Sequence, residues 1–147
     1  MRITGIDPTI IKTEINILER IGAKIKLSHK EINIQGKKKI KNIDIKTAPY
    51  PGFSTDLQAQ LMVLLCRANK RSIIREKIFE NRFMHVAELN RMGAKIKVKG
   101  NAAIIEGKTK FEPAELMATD LRASVSLILA ALTAKGKSRI NRIYHLE

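Results

Sequence analysis

The chain has 147 residues, 44% of them hydrophobic, which is enough for one domain with its own core and is not the composition of a disordered protein. No apolar run approaches a bilayer span, the first residues lack the apolar core of a signal peptide, and the single cysteine, Cys66, excludes an internal disulfide, so a cytoplasmic protein with no membrane partner is expected. The net charge of +14 attracts anions, but the lysines are dispersed, aromatic residues make up 4% and tryptophan is absent, which argues against a stacking groove for single-stranded nucleic acid.

Along the chain, Asp7 followed by Pro8 reads as a helix cap with proline in the first turn, and Ile10, Ile11, Ile15, Leu18 and Ile21 carry the helix to a stop at Gly22. Residues 23–27 and 31–35 alternate apolar and polar around Ser28-His29-Lys30, the pattern of a half-buried hairpin. A further strand is expected over 40–45, followed by a loop at Pro51-Gly52 that delivers Ser54-Thr55-Asp56 to the next helix. There Thr55 and Gln58 have capping-box spacing, and Leu57, Leu61, Leu64 and Leu65 form an apolar face. Cys66 lies in that apolar run and reads as a buried packing residue. A strand over 72–76 closes the unit.

The same order then recurs. Ile21-Gly22-Ala23-Lys24-Ile25-Lys26 is answered 71 positions on by Met92-Gly93-Ala94-Lys95-Ile96-Lys97, and Thr55-Asp56-Leu57 is answered 64 positions on by Thr119-Asp120-Leu121. The second helix is expected to turn Leu121, Val125, Ile128 and Leu129 inward, and a strand is expected over 138–142. The first copy is seven residues longer between the two matched blocks, with the excess expected around Lys37-Lys38-Lys39 and Pro51. Two such units give an α/β arrangement in one domain.

Few residues offer chemistry. Asp56 and Asp120 both stand at helix starts, where the dipole favours a carboxylate. Either could simply cap its helix, but Thr55 and Thr119 are placed to do so and would free the aspartates. Arg82 and Arg122 are cations suited to a carboxylate or phosphate, or to a surface ion pair with Glu80 or Asp120. His85, alone at a helix start, reads as structural more than as a proton carrier. No Gly-rich phosphate loop, catalytic triad order or metal-ligand spacing is present in the sequence.

Four strings, in order, go further: Pro51-Gly52-Phe53-Ser54-Thr55-Asp56-Leu57-Gln58-Ala59-Gln60, Phe79-Glu80-Asn81-Arg82-Phe83-Met84-His85-Val86, Met117-Ala118-Thr119-Asp120-Leu121-Arg122-Ala123-Ser124 and Arg142-Ile143-Tyr144-His145. Together they resemble the UDP-N-acetylglucosamine enolpyruvyl transferases over about residues 5–147. The sister shikimate-pathway transferases share the fold but lack the second and third strings. The resemblance implies transfer of enolpyruvate from phosphoenolpyruvate to the 3-hydroxyl of UDP-N-acetylglucosamine, with phosphate released, as the first committed step of peptidoglycan synthesis. It implies a fold of βαβαββ-type repeats, an inside-out α/β barrel, of which one partial domain is present here as two repeats, about 7–80 and 81–147. It also assigns roles: Asp56 as base on the sugar hydroxyl, Asp120 beside the reacting carbons, Thr55, Ile78 and Phe79 at the nucleotide sugar, and Arg82 and Arg122 around phosphoenolpyruvate. Neither a metal nor an organic cofactor is implied.

The family's reactive cysteine loop, its N-terminal Lys-Asn contact and the arginine after its fourth string have no counterpart, and Cys66 cannot take the loop cysteine's role. The chain is therefore expected to be an incomplete, inactive portion, with an apolar face left exposed where further repeats pack. A basic nucleic-acid-binding module, or a non-catalytic remnant completed by a partner chain carrying the missing domain, stands as the alternative.

Overall fold

The structure is a computed structural model that describes residues 1–143, so Tyr144 and His145 of the fourth string lie outside the described residues. The first unit runs β1 (Arg2–Thr4), α1 (Lys12–Arg20), β2 (Lys24–Ser28), β3 (Glu31–Gln35), β4 (Asp44–Lys46), α2 (Gln58–Cys66) and β5 (Ser72–Arg75). The second runs α3 (His85–Arg91), β6 (Ile96–Lys99), β7 (Ala102–Ile105), β8 (Glu115–Met117), α4 (Leu121–Ala131) and β9 (Arg139–Asn141). Helix, hairpin, strand, helix, strand thus occurs twice.

The pairing registers repeat as well. Ile25 faces Ile34 and Leu27 faces Ile32 in the first hairpin, while Ile96 faces Ile105 and Val98 faces Ala103 in the second, each pair 71 positions on. β1 borders the first hairpin as β5 borders the second, again 71 positions apart: Ile3 opposes Ile32, and Ile74 opposes Ala103. In both units a helix carries the chain from one strand to a parallel neighbour, α2 between β4 and β5 and α4 between β8 and β9. Among the described residues three sheets result, β1-β3-β2, β4-β5-β7-β6 and β8-β9. Because the offset of 71 still holds at β4 and β8, the seven extra residues lie wholly between Lys46 and Thr55, in the segment that contains Pro49-Tyr50-Pro51-Gly52, and not in the Lys37 run.

Both α1 and α3 end on the glycine that the repeat marks. Gly22 and Gly93 take φ of +112° and +92°, and the next residue's N–H reaches back to close the helix, Ala23 to the Leu18 carbonyl and Ala94 to the Leu89 carbonyl. At the other end of α1, Asp7 caps a 3-10 turn, Pro8–Ile11, before the α-helix begins at Lys12. The strand expected over 40–45 is shorter and later, at β4, because Ile40 makes only a single bridge to Ala68.

α2 and α4 pack against each other in the core, with Met62, Leu65, Ile74, Leu89, Met92, Ile105 and Leu127 fully enclosed. Each such side chain contributes roughly 1.5–3 kcal/mol. α4 is turned away from the expected orientation, with Val125 and Ile128 only half-buried. Its inner face is Ala123, Ser124, Ser126, Leu127 and Ala130, small side chains that admit a close neighbour, while Leu121 and Leu129 are 47% and 40% exposed. Amplitude of hydrophobicity pointed outward here. Leu129 joins Leu18, Leu57, Leu61 and Leu64 along an apolar groove of about 530 Å³. Among the described residues no helix is long and apolar enough to cross a membrane.

Candidate active site

The two matched aspartates sit in different local structures. Ser54 caps a 3-10 turn, Thr55–Leu57, by accepting the Asp56 N–H at 3.2 Å, so the Asp56 carboxylate points away and is 59% exposed. In the second unit Asp120 is itself the cap: its Oδ1 accepts the N–H groups of Arg122 at 2.8 Å and Ala123 at 3.0 Å. Thr119 is 3.5 Å from the other oxygen, Oδ2. Neither threonine caps, contrary to the capping-box spacing, because the extended residue before each turn is Ser54 in one case and Asp120 in the other.

Both candidate cations converge on Asp56. Arg122 donates from Nε at 2.6 Å and lies at 2.5 Å through Nη2, both to Oδ1, across 66 positions of sequence and between the two units. Arg82 brings Nη1 to 3.9 Å of the same oxygen, and its guanidinium lies over the Phe79 ring at 4.4 Å. At this exposure the ion pairs add little to stability. Their significance is chemical, since they place two guanidinium groups around one accessible carboxylate.

Beneath this surface Thr55, Gln58, Arg82, His85, Asp120 and Arg122 line a cavity of about 10 Å³. Gln58 Nε2 and His85 Nε2 are buried there without a hydrogen-bond partner among the described residues. Burial pushes the His85 pKa down to about 4, against an opposing pull from Asp120, so the imidazole is neutral. Ile78 and Phe79 lie just outside, lining with Arg82 a wider cleft of about 780 Å³. Ile78 also meets Thr55 in a second cleft of about 390 Å³ beside the Pro49–Gly52 loop. The site residues named from the sequence therefore form one continuous patch, with Arg82 and Thr55 at its joints.

Glu76 escaped the sequence reading. It is 3% exposed, and its carboxylate accepts the Thr47 and Thr55 hydroxyls at 2.7 and 2.8 Å and the Ile78 and Phe79 N–H groups at 2.8 and 3.3 Å. Burial alone would raise its pKa; these donors outweigh it and hold the carboxyl below its ordinary value. Cys66 is buried and burial pushes its thiol up to about 12, which rules out a thiolate nucleophile at neutral pH. Among the described residues no three of His, Cys, Asp and Glu are placed to hold a metal ion.

The family model described as EPSP synthase (3-phosphoshikimate 1-carboxyvinyltransferase) matches residues 1–147. The chain belongs to the EPSP synthase family. Within that family, a Pelagibacter ubique protein named UDP-N-acetylglucosamine 1-carboxyvinyltransferase is 78% identical over all of this chain and 35% of its own length. One of the same name from Desulfosudis oleivorans is 51% identical over 99% of this chain and 35% of its own. Among solved structures, the enolpyruvyl transferase NikO from Streptomyces tendae superposes with a TM-score of 0.90 at 30% identity, covering 99% of this chain and 35% of that one. An EPSP synthase structure from Acinetobacter baumannii matches with a TM-score of 0.68 at 14% identity over 88% of this chain and 31% of that one, a likeness of fold alone. The resemblance to UDP-N-acetylglucosamine transferases and the enolpyruvyl transferase fold read from the four strings hold. The chain spans about a third of the length of the curated relatives it matches.

Proposed function

We propose that this chain forms part of a cytoplasmic transferase that moves enolpyruvate from phosphoenolpyruvate to the 3-hydroxyl of UDP-N-acetylglucosamine and releases phosphate, in peptidoglycan synthesis. The observation that carries the reading is the meeting of Arg82 and Arg122 at Asp56. A sugar hydroxyl attacks poorly until a base takes its proton, and Asp56 is an accessible carboxylate for that task. The carboxylate and phosphate of phosphoenolpyruvate need cations already in place, and an arriving anion would draw Arg122 and Arg82 away from Asp56, leaving its oxygen free to accept the proton. Asp120 spends one oxygen on the helix cap and keeps Oδ2 for the reacting carbons. Thr55, Ile78 and Phe79 border the clefts in which the nucleotide sugar is placed.

In this reading the chain is a single partial domain of two repeats, about 7–80 and 81–147, and does not turn over alone. The apolar groove over Leu57, Leu64 and Leu129 is the surface on which the rest of the transferase packs, on the same polypeptide or another. In support, β9 pairs only with β8 among the described residues, whereas its counterpart β5 also holds the next hairpin. The test is a chimera in which residues 1–147 replace the matching segment of the Pelagibacter ubique relative, assayed for phosphate release from the two substrates. The chimera is expected to turn over, and Asp56→Ala to slow it by about 100-fold or more. A folded chimera that releases no phosphate would refute the reading.

A further inference from the structure

We infer that Glu76 is the positioning residue of the site: its buried carboxylate locks the turn carrying Asp56 to the strand end carrying Ile78 and Phe79. The inference rests on the transferase reading above. Glu76 directly follows β5. Its Oε1 takes the Thr47 hydroxyl and the Ile78 and Phe79 N–H groups, and its Oε2 takes the Thr55 hydroxyl. The Thr47 hydroxyl oxygen in turn accepts the Lys77 N–H at 2.8 Å, so every residue from 76 to 79 is tied to this one point.

Four donors on one buried carboxylate is a costly way to hold two loops together. A buried charge is expensive, and apolar packing of equal volume often stabilises as well or better. Among the described residues no lysine or arginine nitrogen lies within 4.0 Å of it, so hydroxyl and amide donors alone hold the charge. What this arrangement provides is direction. An acceptor with two oxygens can gather donors from two segments at once, and the contacts close into a ring: a hydrogen bond from Thr55 to Glu76, the chain to Asp56, an ion pair to Arg82, a cation–π contact to the Phe79 ring and a hydrogen bond from the Phe79 N–H back to Glu76. The second unit has Asn141-Arg142 at this point and no carboxylate. Glu76 borders the wider cleft, but both of its oxygens are taken up by these donors, so it acts through Thr55 and Phe79.

Glu76→Gln is the informative variant, because it is isosteric and keeps one carbonyl for the donors on the Oε1 side. Its amide must then face the Thr55 hydroxyl, reversing the single bond that aims the Asp56 turn. In the chimera, Glu76→Gln is expected to lower kcat by about tenfold or more while KM for phosphoenolpyruvate stays within about threefold. Thr55→Val should lower kcat similarly, and the double variant should fall no further than the worse single variant, since both remove one link. A role in stability alone would lower Tm and leave kcat per folded molecule unchanged. A second readout needs no turnover: in the 147-residue chain, Glu76→Gln should speed hydrogen exchange at the Asp56 and Leu57 amides, which Glu76 does not contact, by about tenfold, with the β5 amides unaffected. If the parent chimera is inactive, the transferase reading fails and exchange alone decides this inference. Parental kcat, or parental exchange at Asp56 and Leu57, would overturn it.

Discussion

The two units begin their second helix with the same Thr-Asp-Leu string, yet they use the aspartate in opposite ways, and one neighbouring residue accounts for the difference. In the first unit Ser54 precedes the string and caps the turn, so Asp56 is turned outward to the arginines. In the second, Ala118 stands in that place and has no hydroxyl, so Asp120 moves in to cap α4. A helix start needs an acceptor for its free N–H groups, and whichever residue supplies it decides which carboxylate remains for a ligand. Duplicated sequence therefore does not mean duplicated chemistry.

The sharpest way to break the comparison is to neutralise each aspartate. Asp56→Asn in the chimera should cut phosphate release by about 100-fold or more while Tm barely moves, because the side chain is exposed and paired only at the surface. Equal activity loss from both aspartates, with equal Tm loss, would contradict the division of labour. Acid tests the ground beneath the second unit. The folded pKa of His85 lies below its unfolded value of 6.5, so the neutral form's stability is complete above pH 6.5 and is lost as pH falls toward about 4. The loss should reach roughly 3 kcal/mol, measured as urea midpoints against pH, and His85→Gln should flatten that slope. Glu76, whose folded pKa is lowered, adds its own loss as pH falls through the ordinary carboxylate range and below, so most of the His85 loss comes first and the two overlap only at the acid end. Next in size, Asp120→Ala should cost about 1 kcal/mol through the lost cap. Smallest in stability is Ser54→Ala, expected below about 0.5 kcal/mol because Asp56 can swing in as the cap, just as Asp120 does. The same variant should nonetheless depress phosphate release, since the carboxylate would leave Arg122.

Much of the fold was legible because it rests on local rules. Gly22 and Gly93 stop helices in left-handed backbone conformations, and the hairpin expected from the alternation over 23–27 and 31–35 forms there and recurs 71 positions on. The inner face of α4 was not legible, since a close helix–helix approach favours small residues that carry no hydrophobic amplitude. Of the site, Asp56, Arg82 and Arg122 stand out by residue type and, for Asp56, by its place at a helix start, and the resemblance adds their expected roles. Spacing alone could not show that residues 26 and 66 positions from Asp56 would meet at it. Glu76 left no trace because its partners, Thr47, Thr55, Ile78 and Phe79, are gathered by tertiary folding, and a lone glutamate after a strand resembles any surface residue.

One divergence between the units sets where the site lies. The residue two places after the aspartate is Gln58 in the first unit and Arg122 in the second. Gln58 is 2% exposed, a place where a guanidinium would be stranded away from water, whereas Arg122 stands at the surface and reaches across to the other unit's aspartate. The charge pair thus straddles the seam of the duplication. A molecule lodged there acts as a crosslink between the halves, so ligand affinity and the cohesion of the two units rise and fall together.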